Sequence, residues 1–278
     1  QVVQNLTPQE YAKINASSNA KVLSWKNNKV TFLGLNFKYA AWAPDKTLVR
    51  QAIAYAMPYD EILKGDYLGT ATKWNAPCES SYNGAVNDPR YTTNLAKAKE
   101  LMAKAGYPDG KGFPTEGLQL MYTSERAALL EPIANRIRTA LSKIGINVTL
   151  TPLSQTEYQD HMINKHDAPM FVSDADRPLG PDVGYCALLW YVSASKGGLI
   201  ASTHYDNADL DALYLKSAVT VGPARQKILV QMQQKLMTDL PFVPIAEVPS
   251  QLAVAKNITN WKGMGLDGLY FWDFKTTS

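Results

Sequence analysis

Residues 29–63, KVTFLGLNFKYAAWAPDKTLVRQAIAYAMPYDEIL, decide the fold. Val30, Phe32, Leu33 and Leu35 form a run of bulky apolar residues suited to a strand buried on both faces. Leu48, Val49, Ala52, Ile53, Ala56 and Met57 then recur at helical spacing, on one stripe. Asp45, just after Pro44, is the expected N-cap of that helix. Pro58 closes it, and Asp60 opens a shorter one.

Working outward, the residues before this stretch are polar, with Tyr11, Val22, Leu23 and Trp25 as scattered anchors, and read as a lead-in segment. Beyond it, residues 69–93 are rich in turn signals, including Asn83-Gly84 and Asp88-Pro89. Asn94 is placed to cap a helix whose inner face is Leu95, Ala98, Leu101, Met102 and Ala105, with Gly106 as its stop. Residues 117–153 read as strand, helix and strand with short joints, a βαβ unit with parallel strands. Pro132 conflicts with a long straight helix there and is expected in its first turn or at a kink. A helix over 154–165 follows, then the strand APMFVSD, expected to end at Asp174. Helices are expected from Asn207 and over 223–239. LPFVPIAEV and QLAVAKNI read as two further strands. The class is α/β.

Composition narrows the function classes. A hydrophobic content of 46% against 19% charged residues describes a chain with a packed core. The net charge is only +3 and no Lys/Arg run or zinc-finger spacing occurs, so nucleic acid is not an expected partner. No apolar run reaches the roughly 18 residues that span a bilayer. The polar start QVVQNLTPQEY lacks the apolar segment of a signal peptide. The two cysteines, Cys78 and Cys186, are compatible with a disulfide or with two thiols.

Several motif matches lack their context. Gly263, Gly265 and Gly268 spell G-x-G-x-x-G, but no helix follows to receive a pyrophosphate. Ser193 and Lys196 spell S-x-x-K without the partner motifs of acyl-enzyme chemistry. His161, His166 and His204 do not share metal-ligand spacing and read as solvated or capping residues. Asp206, Asp209 and Asp211 cluster at a helix start, where carboxylates favour the dipole.

Asp174 and Arg126 are better candidates. Each is expected where a strand of the sheet runs out, the place where ligand groups gather in parallel α/β sheets. A carboxylate there suits an ammonium group, and a guanidinium at a helix start suits a carboxylate in bidentate fashion. Tyr122, Asp176 and the aromatic Trp190 complete the expected ligand-binding set. A hydrolytic pair of Asp174 with Asp176 is the weaker reading, on the expectation that the two carboxylates face opposite ways.

The segments FLGLNF, DKTLVRQAIAYAM, KAKELMAKAGYPDG, the helix ending LSKIGI, the strand into Asp174 and RQKILVQMQQKLMTDLPFVPI occur in one order. Together this chain resembles the extracytoplasmic solute-binding proteins of dipeptide, oligopeptide and nickel ABC importers. The resemblance implies a periplasmic-binding-protein-like lobe, a mixed and mostly parallel sheet flanked by helices. It implies a large C-terminal ligand-binding lobe over 30–248, with 1–29 and 249–278 leading to and from a second lobe, so the chain is expected to be the C-terminal part of a longer protein. It implies capture of a peptide or other small polar solute by a monomer in the periplasm or at the outer membrane face, for an ABC permease in the inner membrane. No chemistry, cofactor or metal is implied. A sensory or interaction domain of the same fold is the alternative. Asp174 resembles the aspartate that meets a ligand's α-amino group, and Arg126 lies near the arginine that meets its carboxylate. The family's G-W-x-x-D-x-x-D-P is here M-F-V-S-D-A-D-R-P, without the tryptophan and the D-P pair.

Overall fold

The computed structural model describes residues 2–176, 180–259 and 275–276. In chain order the elements are β1 (Val2–Val3), α1 (Pro8–Asn15), β2 (Ala20–Leu35), α2 (Thr47–Ala56), α3 (Tyr59–Glu61) and β3 (Thr72–Lys73). Then come α4 (Leu95–Lys104), β4 (Gln119–Thr123), α5 (Ala127–Ser142), β5 (Thr149–Leu153), α6 (Gln155–Gln159) and β6 (Met170–Asp176). The last are α7 (Val183–Trp190), α8 (Ala208–Ala218), α9 (Gly222–Asp239), β7 (Phe242–Ala255), β8 (Ile258–Thr259) and β9 (Lys275–Thr276). Among the described residues no helix is long and apolar enough to cross a membrane.

The main sheet runs β1-β7-β2-β6-β4-β5, with β3 on β7. It is mixed, as expected, but parallel pairing is confined to β6, β4 and β5, around the βαβ unit. The other pairs, β1–β7, β7–β2, β2–β6 and β3–β7, are antiparallel. The mostly parallel sheet that the resemblance implied is therefore not observed: antiparallel pairs outnumber the two parallel ones.

β2 is the spine. Leu33 and Leu35 face a core with Val49, Ile53, Ile133, Ile137, Met170 and Val243, under α2 and α5. Val30 and Phe32 face the opposite core with Phe171, Phe242, Leu210 and Met232, under α7, α8 and α9. All four apolar residues of the run are at most 1% exposed, so the strand is buried on both faces. Gly34 is required by close packing: a Cβ there would sit 2.1 Å from the Phe171 ring.

Asn94 caps α4 through Lys97 N–H, and Ser154 and Glu157 form a capping box on α6. Asp45 does not cap α2. The cap position is Lys46, without a side-chain bond, and Asp45 pairs with the Lys46 ammonium at 3.1 Å. The turn before α2 is held from inside instead, by Arg50, which is 1% exposed and donates to the carbonyls of Trp42, Ala43 and Pro44. Leu48 falls outside the buried stripe. Pro132 lies in the second turn of α5 rather than the first.

LPFVPIAEV and QLAVAKNI form one strand, β7, not two. Its prolines are absorbed beside register shifts against β2, between Thr31 and Phe32 and between Trp25 and Lys29. β2 likewise begins ten residues before Val30, at Ala20, and the lead-in segment contains α1. The polar Lys26-Asn27-Asn28 stretch hid that strand, because it breaks the alternation where the ladder bulges. Beyond the bulge a small separate core forms from Leu252, Val254 and Ile258 with Leu23 and Trp25.

The cysteines are joined: Cys78 and Cys186 form a disulfide between the 69–93 segment and α7, with Cα atoms 6.1 Å apart. Gly110 and Gly145 meet back to back with positive φ, and a Cβ on Gly145 would fall 2.2 Å from the Gly110 Cα. Gly145→Ala is therefore expected to cost about 2–4 kcal/mol in urea unfolding, from left-handed strain plus a backbone clash. A cost below about 0.5 kcal/mol would mean the two turns separate readily.

Candidate functional site

β4 and β6 run parallel with Leu120 opposite Met170 and Met121 opposite Phe171. β4 stops at Thr123, while β6 runs on to Asp176, two residues past its expected end. Asp174 thus lies inside a strand, across from Thr31 of β2, yet beyond the carboxyl end of its parallel neighbour. Arg126, in the turn after β4, reaches that point.

The two candidate residues consequently meet each other. Arg126 Nη2 donates to Asp174 Oδ2, and Lys29 Nζ reaches the same oxygen at 3.5 Å. The Asp174 side chain is 2% exposed, against 16% for Lys29 and 34% for Arg126. Beside them the Tyr67 hydroxyl hydrogen-bonds the Thr31 hydroxyl. Burial, then the Asp174 charge, pushes the Tyr67 phenol far up, so it stays a neutral hydrogen-bonding group. The turn carrying Arg126 is fixed by Glu125, which accepts from Gln155 N–H at 2.9 Å and Thr123 Oγ1 at 2.6 Å. Those bonds, the Gln155 backbone first, hold the Glu125 carboxyl down at about 2.

This charged wall opens on a cleft of about 490 Å³ between the sheet and the lead-in segment. Arg126, Leu129, Lys29, Tyr67 and Thr70 line one side. Tyr11, Trp25, Asn27 and Ser250, with residues of the stretch before α1, line the other. The cleft therefore straddles the bulge where the β2–β7 ribbon leaves the main sheet.

The remaining expected residues lie elsewhere. Tyr122 is 2% exposed in the α5-side core, and burial raises its phenol; it does not line the cleft. Trp190 packs edge-on against Phe32 and Phe242, on the other side of the sheet from Lys29 and Asp174. Asp176 is the last residue of β6, opposite Lys29, and its side chain is outside the described residues. The expected opposite orientation of positions 174 and 176 is wrong, because residues two apart on a strand share a face. The glycine-rich tail at 263–268 also lies outside the described residues.

The other motif residues have local work. Ser193 donates to Asp211 through N–H and hydroxyl, at 3.0 and 2.6 Å. Asp209 and Asp211 lie in the first turn of α8, as expected, and Asp211 is in addition buried and tied to the segment after α7. His161 meets Asp167 at 2.6 Å, and His166 packs edge-on against His204.

Lys29, Tyr67 and the far wall were not among the expected residues. Lys29 had a signal: with Thr31 and Leu33 it shares one face of a strand, which aims a lysine along the line of Asp174. Tyr67 follows a short wide-turn helix over Ile62–Asp66 and had none.

The family model for bacterial extracellular solute-binding proteins, family 5 (middle), matches residues 1–197. The chain belongs to this family. Among curated relatives of the chain, heme-binding protein A of Haemophilus influenzae is 27% identical over 245 residues, 85% of the chain and 42% of the relative. Oligopeptide-binding protein AppA of Bacillus subtilis is 25% identical over 276 residues, 93% of the chain and 48% of the relative. The fold matches the periplasmic binding protein DppA of Helicobacter pylori, solved with the peptide STSA, at a TM-score of 0.83. That match has 23% identity and covers 99% of this chain and 52% of DppA. The chain thus spans about half the length of the relatives it matches.

Proposed function

We propose that this chain is the ligand-binding lobe of the substrate-binding component of an ABC importer. It captures a peptide or other small polar solute and delivers it to a permease in the inner membrane. Residues 30–248 are the lobe, and 1–29 and 249–278 lead to and from a second lobe that closes over the cleft. The protein acts as a monomer in the periplasm or on the outer membrane face, and releases the solute chemically unchanged.

One observation carries this reading. The cleft lies at the bulge of the β2–β7 ribbon and is walled by Arg126 and Lys29 over a buried carboxylate, Asp174. Relatives named for oligopeptides, glutathione and heme support a small-solute ligand. A lobe of this kind supplies half of the contacts, and closure supplies the rest.

Native mass spectrometry of the full-length protein from its own cells tests the reading. The expected result is a bound small solute released on denaturation, with compaction in small-angle X-ray scattering when the solute is restored. An empty protein that no added solute compacts would overturn it and favour a sensory or interaction role.

A further inference from the structure

At the β2 bulge, alternate residues face opposite ways. Trp25, Asn27 and Lys29 line the cleft, whereas Lys26 and Asn28 bond behind it, to the segment that follows Cys78. There Ser80 Oγ accepts from Lys26 Nζ at 2.7 Å and donates to Glu247 Oε2 of β7 at 2.7 Å. The Ser80 N–H donates to the other Glu247 oxygen at 2.5 Å, so one residue engages both ends of the carboxylate. Ser81 Oγ donates at 2.7 Å to Oδ1 of Asn28, a residue that is 1% exposed. One dipeptide therefore ties down both strands of the ribbon where their ladder is interrupted.

The dipeptide is itself held on either side. Cys78 is bonded to Cys186 of α7, and Asn83 accepts from Val183 N–H and donates to Pro181 O. Its anchors thus lie on α7 and the turn before it, not on the ribbon. A bulge lacks part of the ladder that fixes an ordinary strand pair, so the aim of its side chains depends on support from outside.

Resting on the solute-capture reading above, we propose that Ser80 and Ser81 are positioning residues of the cleft. They brace the ribbon from behind and fix the Trp25, Asn27 and Lys29 side of the wall, along with the course of the strands toward the second lobe. Losing the brace loosens the wall without removing a ligand contact.

Hydrogen exchange on the full-length protein tests the brace with Ser80→Ala/Ser81→Ala and with Ser80→Thr/Ser81→Thr, which keeps both hydroxyls. Amides of residues 24–31 and 246–251 are expected to exchange about tenfold faster in the alanine variant. Exchange in α5 and the melting temperature should match the parent, and threonine should restore the parent's rates. Solute carried from the protein's own cells, followed by native mass spectrometry during dialysis, should leave the alanine variant about tenfold faster. Parent-like exchange in the alanine variant would overturn the brace. Faster exchange everywhere, α5 included, would overturn it as well, as a global loss of stability. Faster local exchange with unchanged solute loss would reduce the two serines to a structural role and overturn the proposal. Faster local exchange in a protein that carries no solute would remove the solute-capture reading and the cleft role with it, while the brace itself stands.

Discussion

Arg50→Met is expected to lower stability by about 3–5 kcal/mol, measured as a fall in urea midpoint at constant slope. The Arg50 guanidinium is 1% exposed and gathers the end of α9 and the turn before α2 into one knot. It donates to Asp239 O and Ala43 O at 2.5 Å, to Trp42 O at 2.9 Å and to Thr47 Oγ1 at 3.0 Å, and it stacks 4.2 Å from the Phe37 ring centre. Burial brings its pKa down to about 10, so the charge is retained near neutrality because those carbonyls replace water. Methionine has similar length but no donor, and leaves the carbonyls buried without partners. Arg50→Lys should recover only part of the loss, since one ammonium cannot span a planar fork's acceptors. A methionine variant within about 1 kcal/mol of the parent would mean that water enters and satisfies the turn.

Replacing both Cys78 and Cys186 by serine is expected to cost about 4 kcal/mol, because the bridge closes a sequence separation of 108 in the unfolded chain. The bridged end is itself well anchored. The Tyr191 hydroxyl donates to Pro77 O at 2.6 Å, and the Trp74 ring N–H donates to Cys78 O at 3.1 Å. Those bonds keep the 69–93 segment docked after the bridge is removed, so the loss should fall on global stability while the fold persists. Parallel urea titrations of the parent, the double serine variant and the reduced parent measure it. Equal midpoints for all three would place the stabilisation entirely in the noncovalent contacts.

Regular elements were legible wherever a periodic face continues for more than two turns or one strand. Ile133, Ile137 and Leu141 on α5 and the apolar run of β2 are the examples. What stayed hidden is long-range. No local pattern says that Arg50 points inward, since its acceptors are carbonyls of an irregular turn, Trp42, Ala43 and Pro44, and of Asp239 at the end of α9. No local pattern says that FVPIAEVPSQLAVA is a single strand, since its prolines are tolerated only through the bulges against β2. The cysteine pairing was open for the same reason. At the site, the sequence singled out Asp174 and Arg126 as two separate poles for a ligand. The register of β4 on β6 makes them partners, and Lys29 arrives from a third strand. Tyr122 and Trp190 had the right chemistry but lie under α5 and across the sheet, which depends on packing and not on composition.

The order of β2 in the sheet bears on how the protein is made. β2 is synthesised well before both strands that flank it: Gly34 pairs with Phe171 of β6 and Phe242 of β7. During synthesis its apolar run has two unsatisfied edges and no neighbour to cover them. Closing the sheet around β2 must therefore wait for β7, which slows folding and exposes the nascent protein to misassociation. The segment that sets the architecture of the finished molecule is thus its greatest liability before completion. Holdase binding to ribosome-bound chains should concentrate on residues 30–35.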